Sequence, residues 1–136
     1  DGCTTYYEHE TGNNQIKAGT STAITANIQS GDFDLGVQGN LQGDTNAGEV
    51  MMKIRRVLPD FLTQTGTTRV TLNLKNYPTD SEASSSLGPF DITASTDKID
   101  TRARARAIAL KISNTGVAQH WKVGTFRLDI QPDGRR

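Results

Sequence analysis

Hydrophobic and polar residues alternate with a period of two in short runs along this chain, and no stretch holds a helical apolar stripe for three turns. In the run from Arg69 to Lys75, Val70, Leu72 and Leu74 face one way, and Arg69, Thr71, Asn73 and Lys75 the other. Phe126 to Gln131 repeats the pattern, and Pro132-Asp133-Gly134 predicts its end. Further strands are predicted over Thr4–His9, Ala23–Gln29, Val50–Val57, Phe90–Thr93 and Gln119–Val123. Gly124, between two alternating runs, suits a bulge or kink. Turn residues separate the runs at Glu10–Asn14, Ser30–Asp32, Thr65–Thr67 and Asn114–Gly116. Gly36–Gly48, with four glycines in thirteen residues, and the Ser-rich, acidic Pro78–Pro89 are predicted loops.

One segment carries two signals. From Asp100 to Ile112, alanine and arginine favour helix, and Asp100 is a good N-cap. A helix would scatter the arginines around its cylinder and leave a poor apolar stripe. Alternation instead places Arg102, Arg104, Arg106, Ile108, Leu110 and Ile112 on one face of a strand, and a strand is predicted. About seven strands, no good helix and regular turn signals predict an all-β fold over residues 1–136: a single-domain antiparallel β-sandwich or partly open barrel. Its core is expected to hold Val70, Leu72, Leu74, Ile108, Leu110, Ile112, Trp121, Phe126, Leu128 and Ile130.

Charge changes the picture. The 136 residues are formally neutral, yet residues 1–50 carry seven acids against Lys17 alone, and the remainder holds an equal excess of bases. Such asymmetry points to head-to-tail complementarity between copies or to a local basic surface, not to the uniform basicity of a dedicated nucleic-acid binder. Cys3 is the only cysteine, so no intrachain disulfide forms, which is compatible with assembly in a reducing cytoplasm. No apolar run approaches transmembrane length, and no secretory signal opens the chain. The start at Asp1, in polar sequence without a methionine, reads as a piece of a longer protein.

Candidate chemistry is sparse. His9, in Tyr6-Tyr7-Glu8-His9-Glu10, lacks the further ligands that zinc requires, and a cross-strand polar contact is expected there. His120 beside Trp121 reads as a sheet-surface histidine. Cys3 has no activating cation, and Asp1 nearby would raise its thiol pKa. Asp32-Phe33-Asp34-Leu35-Gly36 faintly resembles the start of a calcium loop, but its third ligand position is Gly36 and Gly43 stands where the closing glutamate belongs. No phosphate loop, nucleophile elbow or paired zinc cysteines are present. No catalytic residue, metal ligand or cofactor is therefore assigned, and the chain is read as a non-enzyme. The constellation above background is the arginine comb. Arg102, Arg104 and Arg106 at strand spacing project to one side about 7 Å apart, to be paired with acids, with a neighbouring subunit, with phosphate or with solvent.

Three passages resemble a known kind of viral protein: Tyr7-Glu8-His9-Glu10-Thr11-Gly12, Ile99 to Arg106, and Trp121 to Arg136. Together they look like the C-terminal part of virion structural proteins of short-tailed phages, of the tail-nozzle or packaged-DNA stabilisation type. The resemblance implies a β-rich, non-catalytic subunit of a ring at the portal vertex, located in the virion tail and assembled in the host cytoplasm. Its implied partners are other copies of itself and other tail or portal proteins, with non-specific contact to packaged DNA and no membrane. The alternative is a carbohydrate-binding β-sandwich, for which Tyr6, Tyr7 and Tyr77 are the available platforms among eight aromatic residues. A carboxylate glycosidase is a more distant reading.

Overall fold

A computed structural model of the chain describes residues 12–35, 50–77, 79–80, 85–114 and 116–135. Among these there is no helix, so none long and apolar enough to cross a membrane, and the fold is an open all-β sandwich rather than a closed barrel. The described strands are β1 (Asn14–Lys17), β2 (Thr20–Ala23), β3 (Ala26–Gln29), β4 (Phe33–Asp34), β5 (Val50–Leu58), β6 (Phe61–Thr65), β7 (Thr68–Lys75), β8 (Ser86–Ile92), β9 (Ile99–Ala105), β10 (Ala107–Asn114), β11 (His120–Val123) and β12 (Arg127–Arg135). The predicted strand Thr4–His9 and the predicted loop Gly36–Gly48 lie outside the described residues.

The first sheet runs β3-β10-β7-β8, with β4 also beside β10, and the second runs β12-β5-β9; all pairings are antiparallel. In the first sheet Val70, Leu72 and Leu74 stand opposite Ile112, Leu110 and Ile108, so the period-two face read from the sequence is the inner face. The second sheet answers with Met52, Ile54 and Val57 of β5, and Ile99, Ala103 and Ala105 of β9, all buried. Leu128 and Ile130 of β12 complete that layer as half-buried residues packed against the core. Around Arg55 the register of β5 slips against both neighbours, which brings Val57 inward although Met52 and Ile54 set the opposite parity. The ribbon of β6 and β11 closes one side, with Phe61 edge-on to Phe126 at 5.4 Å between ring centres, and Trp121 against the core.

The predicted core is largely in place. Val70, Leu72, Ile108 and Ile112 are buried, and Leu74, Leu110, Trp121, Phe126, Leu128 and Ile130 pack around them half-buried. Four expectations are corrected. Ala23–Gln29 is two strands, because the chain passes from the β1–β2 hairpin into the sandwich at Ile24-Thr25. Pro89 lies inside β8 and Pro132 inside β12 rather than ending them; each sits at or beside a bulge of an edge strand, where proline is tolerated. At Gly88 the backbone adopts φ +113° and a Cβ would stand 2.9 Å from the Val70 carbonyl, so only glycine fits that bulge. Gly124 marks the step between β11 and β12, its N–H donating to the Asp60 carbonyl at 2.8 Å.

The last correction concerns Asp100 to Ile112. It is extended, as predicted, but it is two strands broken at Arg106, where the chain leaves the second sheet and enters the first. Inward residues have odd numbers before the break (Ile99, Thr101, Ala103, Ala105) and include even-numbered Ile108 and Ile112 after it. The predicted face shared by three arginines and three aliphatic residues does not exist. Arg102 and Arg104 point out, whereas Ile108 and Ile112 point in.

Candidate assembly surface

The inward alternation of β9 fixes the outward one. Burying Thr101, Ala103 and Ala105 forces Asp100, Arg102 and Arg104 onto the outer face of the second sheet. Thr101 is tolerated inside because its hydroxyl donates to the Ile54 carbonyl at 3.0 Å. The same logic on β5 exposes Lys53 and Arg55, and the slip in register adds Arg56 half-buried beside them. β12 contributes Arg127, Asp129 and Asp133. Lys53, Arg55, Arg56, Asp100, Thr101, Arg102 and Asp129 line an open groove of about 560 Å³.

Every carboxylate on this face stands near a cation. Arg56 Nε donates to Asp100 Oδ1 at 2.8 Å, and Lys98 Nζ lies 3.3 Å from Asp100 Oδ2. The hydrogen bond from Arg56, followed by that from Lys98, holds the Asp100 carboxyl below its ordinary range. Arg56 is raised in turn, first by its hydrogen bond to Asp100 and in lesser part by the charge of Asp129. Arg104 bonds Asp133 through Nε at 2.5 Å and through Nη2 to its carbonyl at 3.3 Å. Lys53, Arg55, Arg102 and Arg127 have no ion-pair partner among the described residues. Among the described residues the face, with Lys98 at its rim, therefore holds seven bases against three acids, with its surplus cations gathered in and beside the groove.

The arginine comb survives in part. Arg102 faces the groove, Arg104 is tied to Asp133, and Arg106 sits half-buried at the corner between the sheets, its N–H donating to the Lys75 carbonyl at 3.0 Å. Sequence reasoning missed Lys53, Arg55, Arg56 and Arg127, although Lys53 and Arg55 occupy the polar positions of the predicted strand Val50–Val57.

The other candidates do not converge on chemistry. His120 is exposed, with Nδ1 3.4 Å from Asn13 Nδ2. Trp121 Nε1 donates to buried Asn114 Oδ1 at 3.1 Å. Asp32 is bonded to Lys75 Nζ at 2.7 Å, and no three His, Cys, Asp or Glu side chains among the described residues gather to hold a metal. His9, Cys3, Tyr6, Tyr7, Gly36 and Gly43 lie outside the described residues. A second groove of about 360 Å³ runs between Pro59–Gln64 and Thr93–Asp97. Its aromatic, Phe61, is committed to Phe126, and exposed Tyr77 lies in neither groove. No family model, curated protein or solved structure matches the chain.

Proposed function

We propose that this chain is a non-catalytic β-sandwich module of a phage virion protein of the tail-nozzle type, and that it joins neighbouring copies through the outer face of the β12-β5-β9 sheet. The observation that carries the reading is the cation surplus on that face: Lys53, Arg55 and Arg102 share a groove in which each acid already has a cation at hand. The chain has a complement for it, since its first fifty residues hold seven acids and one base. Arginine suits a protein carboxylate because its planar fork binds both oxygens and is weakly hydrated. One exposed pair contributes only about 0–1 kcal/mol, so the face works through several pairs formed together at a desolvated contact.

A phosphate backbone is a poorer fit than a protein surface, because Asp100, Asp129 and Asp133 are interleaved with the bases and would repel it. The phage assignment rests on the sequence resemblance of the closing Trp121–Arg136 passage and of the strand at Ile99–Arg106. It places the module in the virion tail after assembly in the host cytoplasm, beside further copies and other portal proteins. The test is the variant Lys53→Ser/Arg55→Ser/Arg102→Ser, examined by light scattering beside Arg69→Ser, which breaks only the ion pair to Asp91 on the other sheet. The triple variant is expected to stay folded and to self-associate less than the parent, with Arg69→Ser unchanged. Glycan-array binding, or cleavage of a polysaccharide, by a parent that does not self-associate would replace this reading with the carbohydrate one.

A further inference from the structure

Among the described edges of the two main sheets, one is built to accept another strand. β3 and β4 are four and two residues long. β8 carries Pro89 at its bulge, and β12 carries Pro132 beside a second one; both devices spoil an edge for pairing. Among the described residues β9 ends its sheet, with seven residues that include neither proline nor glycine and alternate strictly between buried and exposed. Its outward charges are Asp100, already held by Arg56 and Lys98, and the cations Arg102 and Arg104. Charge repels a second basic edge and attracts an acidic one. An incoming strand with carboxylates at every second position would meet both arginines on one face, since side chains two apart repeat at about 7 Å on either strand.

The sequence of this chain offers such a segment. In Tyr6-Tyr7-Glu8-His9-Glu10, alternation sets Glu8 and Glu10 on one face and Tyr7 and His9 on the other. We infer that the segment Thr4–Glu10 of a second copy adds to the free edge of β9, with its backbone continuing the β12-β5-β9 sheet. In that pairing the two acids of the segment meet Arg102 and Arg104. Arg102, which has no ion pair among the described residues, gains one; Arg104 is shared with Asp133. Main-chain hydrogen bonds supply the affinity and the charge pattern supplies register and partner choice. Because donor segment and acceptor edge are different surfaces of one chain, the contact is head-to-tail and builds a ring or an open filament. This rests on the proposal that copies join through this sheet, and names the strand that does it.

The experiment uses the whole chain, with charge reversal and rescue read by sedimentation velocity, and amide hydrogen exchange followed against protein concentration. Arg102→Glu is expected to weaken self-association by about tenfold or more. Of the double variants Arg102→Glu/Glu8→Arg and Arg102→Glu/Glu10→Arg, the one that reverses the acid opposite residue 102 is expected to restore most of it. Amides of Ile99–Ala105 gain protection as concentration rises, while those of Arg127–Gln131 on the opposite edge do not. Self-association that ignores both reversals, or protects β12 instead, overturns the inference and leaves assembly through the charged face standing. Protection of β9 that is independent of concentration places the segment on its own copy and overturns the second-copy occupant. A chain that stays monomeric at its solubility limit overturns both readings.

Discussion

Leu72→Ala is the sharpest probe of the packing. Leu72 is fully buried at the centre of the first sheet, with Leu110 of β10 and Leu87 of β8 as its cross-strand neighbours. The substitution removes three carbons, worth about 0.8 kcal/mol each in transfer, or roughly 2.4 kcal/mol together. β7 is flanked on both sides by laddered strands, so the walls cannot collapse into the space and a cavity term is added. The expected total is about 3–4 kcal/mol, inside the usual range of about 2–5 for a buried leucine. Leu128→Ala removes the same atoms from a half-buried site on the edge strand β12, where the gap opens to water. It should cost about 1–1.5 kcal/mol, since about half the transfer term is lost and no closed cavity forms. Urea melts of the parent and both variants measure the two numbers side by side. With a slope of about 1–3 kcal/mol per molar, the Leu72 midpoint falls by about 1–4 M, roughly two to four times the Leu128 shift. Equal costs, or a Leu72 loss below about 1 kcal/mol, would show that the two sheets do not meet over β7.

Two further outcomes follow from the same geometry. Ala103→Asp buries an unpaired carboxylate on the inner face of β9 and should unfold the module or cost more than about 3 kcal/mol, whereas Arg102→Ser, one residue away and outward, should stay within about 0.5 kcal/mol in denaturant melts; the reverse ranking would mean that β9 is facing the wrong way. Asp100 is held below its ordinary pKa by Arg56 and Lys98, so its folded form takes up a proton less readily than its unfolded form. Its stabilisation is therefore present above the unfolded value and lost as pH falls through the folded one. The stability difference between the parent and Asp100→Asn should shrink between about pH 5 and pH 2 in acid melts, and a difference that grows on acidification would contradict the pairing.

Most strands were legible because a sheet with one wet face writes alternation into its sequence, as Val70, Leu72 and Leu74 do. What alternation does not encode is which sheet a strand belongs to. Ile99–Ala105 and Ala107–Asn114 read as one run, and the change of sheet at Arg106 passed unseen. A trace of it was present: three arginines and three aliphatics of one parity cannot share a half-buried face, so the frame had to slip between them. Prolines misled in the opposite direction. Pro89 and Pro132 look like boundaries in the sequence, yet both lie within edge strands: Pro89 in a bulge, and Pro132 opposite Met52 beside another. The β1–β2 hairpin and β6 escaped notice because their exposed residues leave little apolar alternation to read. The charged face was half legible. Arg102 and Arg104 announced it, while Lys53 and Arg55 were hidden in a strand noted for its apolar positions, and only pairing of β5 with β9 brings the four together.

The central claim, that this module assembles through surplus cations on the β12-β5-β9 face, is tested most directly by the salt dependence of self-association. Sedimentation velocity of the 136-residue chain over a concentration series, at low and at high salt, gives an association constant at each ionic strength. The account predicts that the parent associates at low salt and loosens steeply as salt rises, because charges at the rim of such a contact are screened within about 10 Å at 0.1 M. It further predicts that Lys53→Ser/Arg55→Ser/Arg102→Ser associates weakly at low salt and has little salt dependence left to lose. Association of equal strength at both ionic strengths, unchanged in the triple variant, would contradict it.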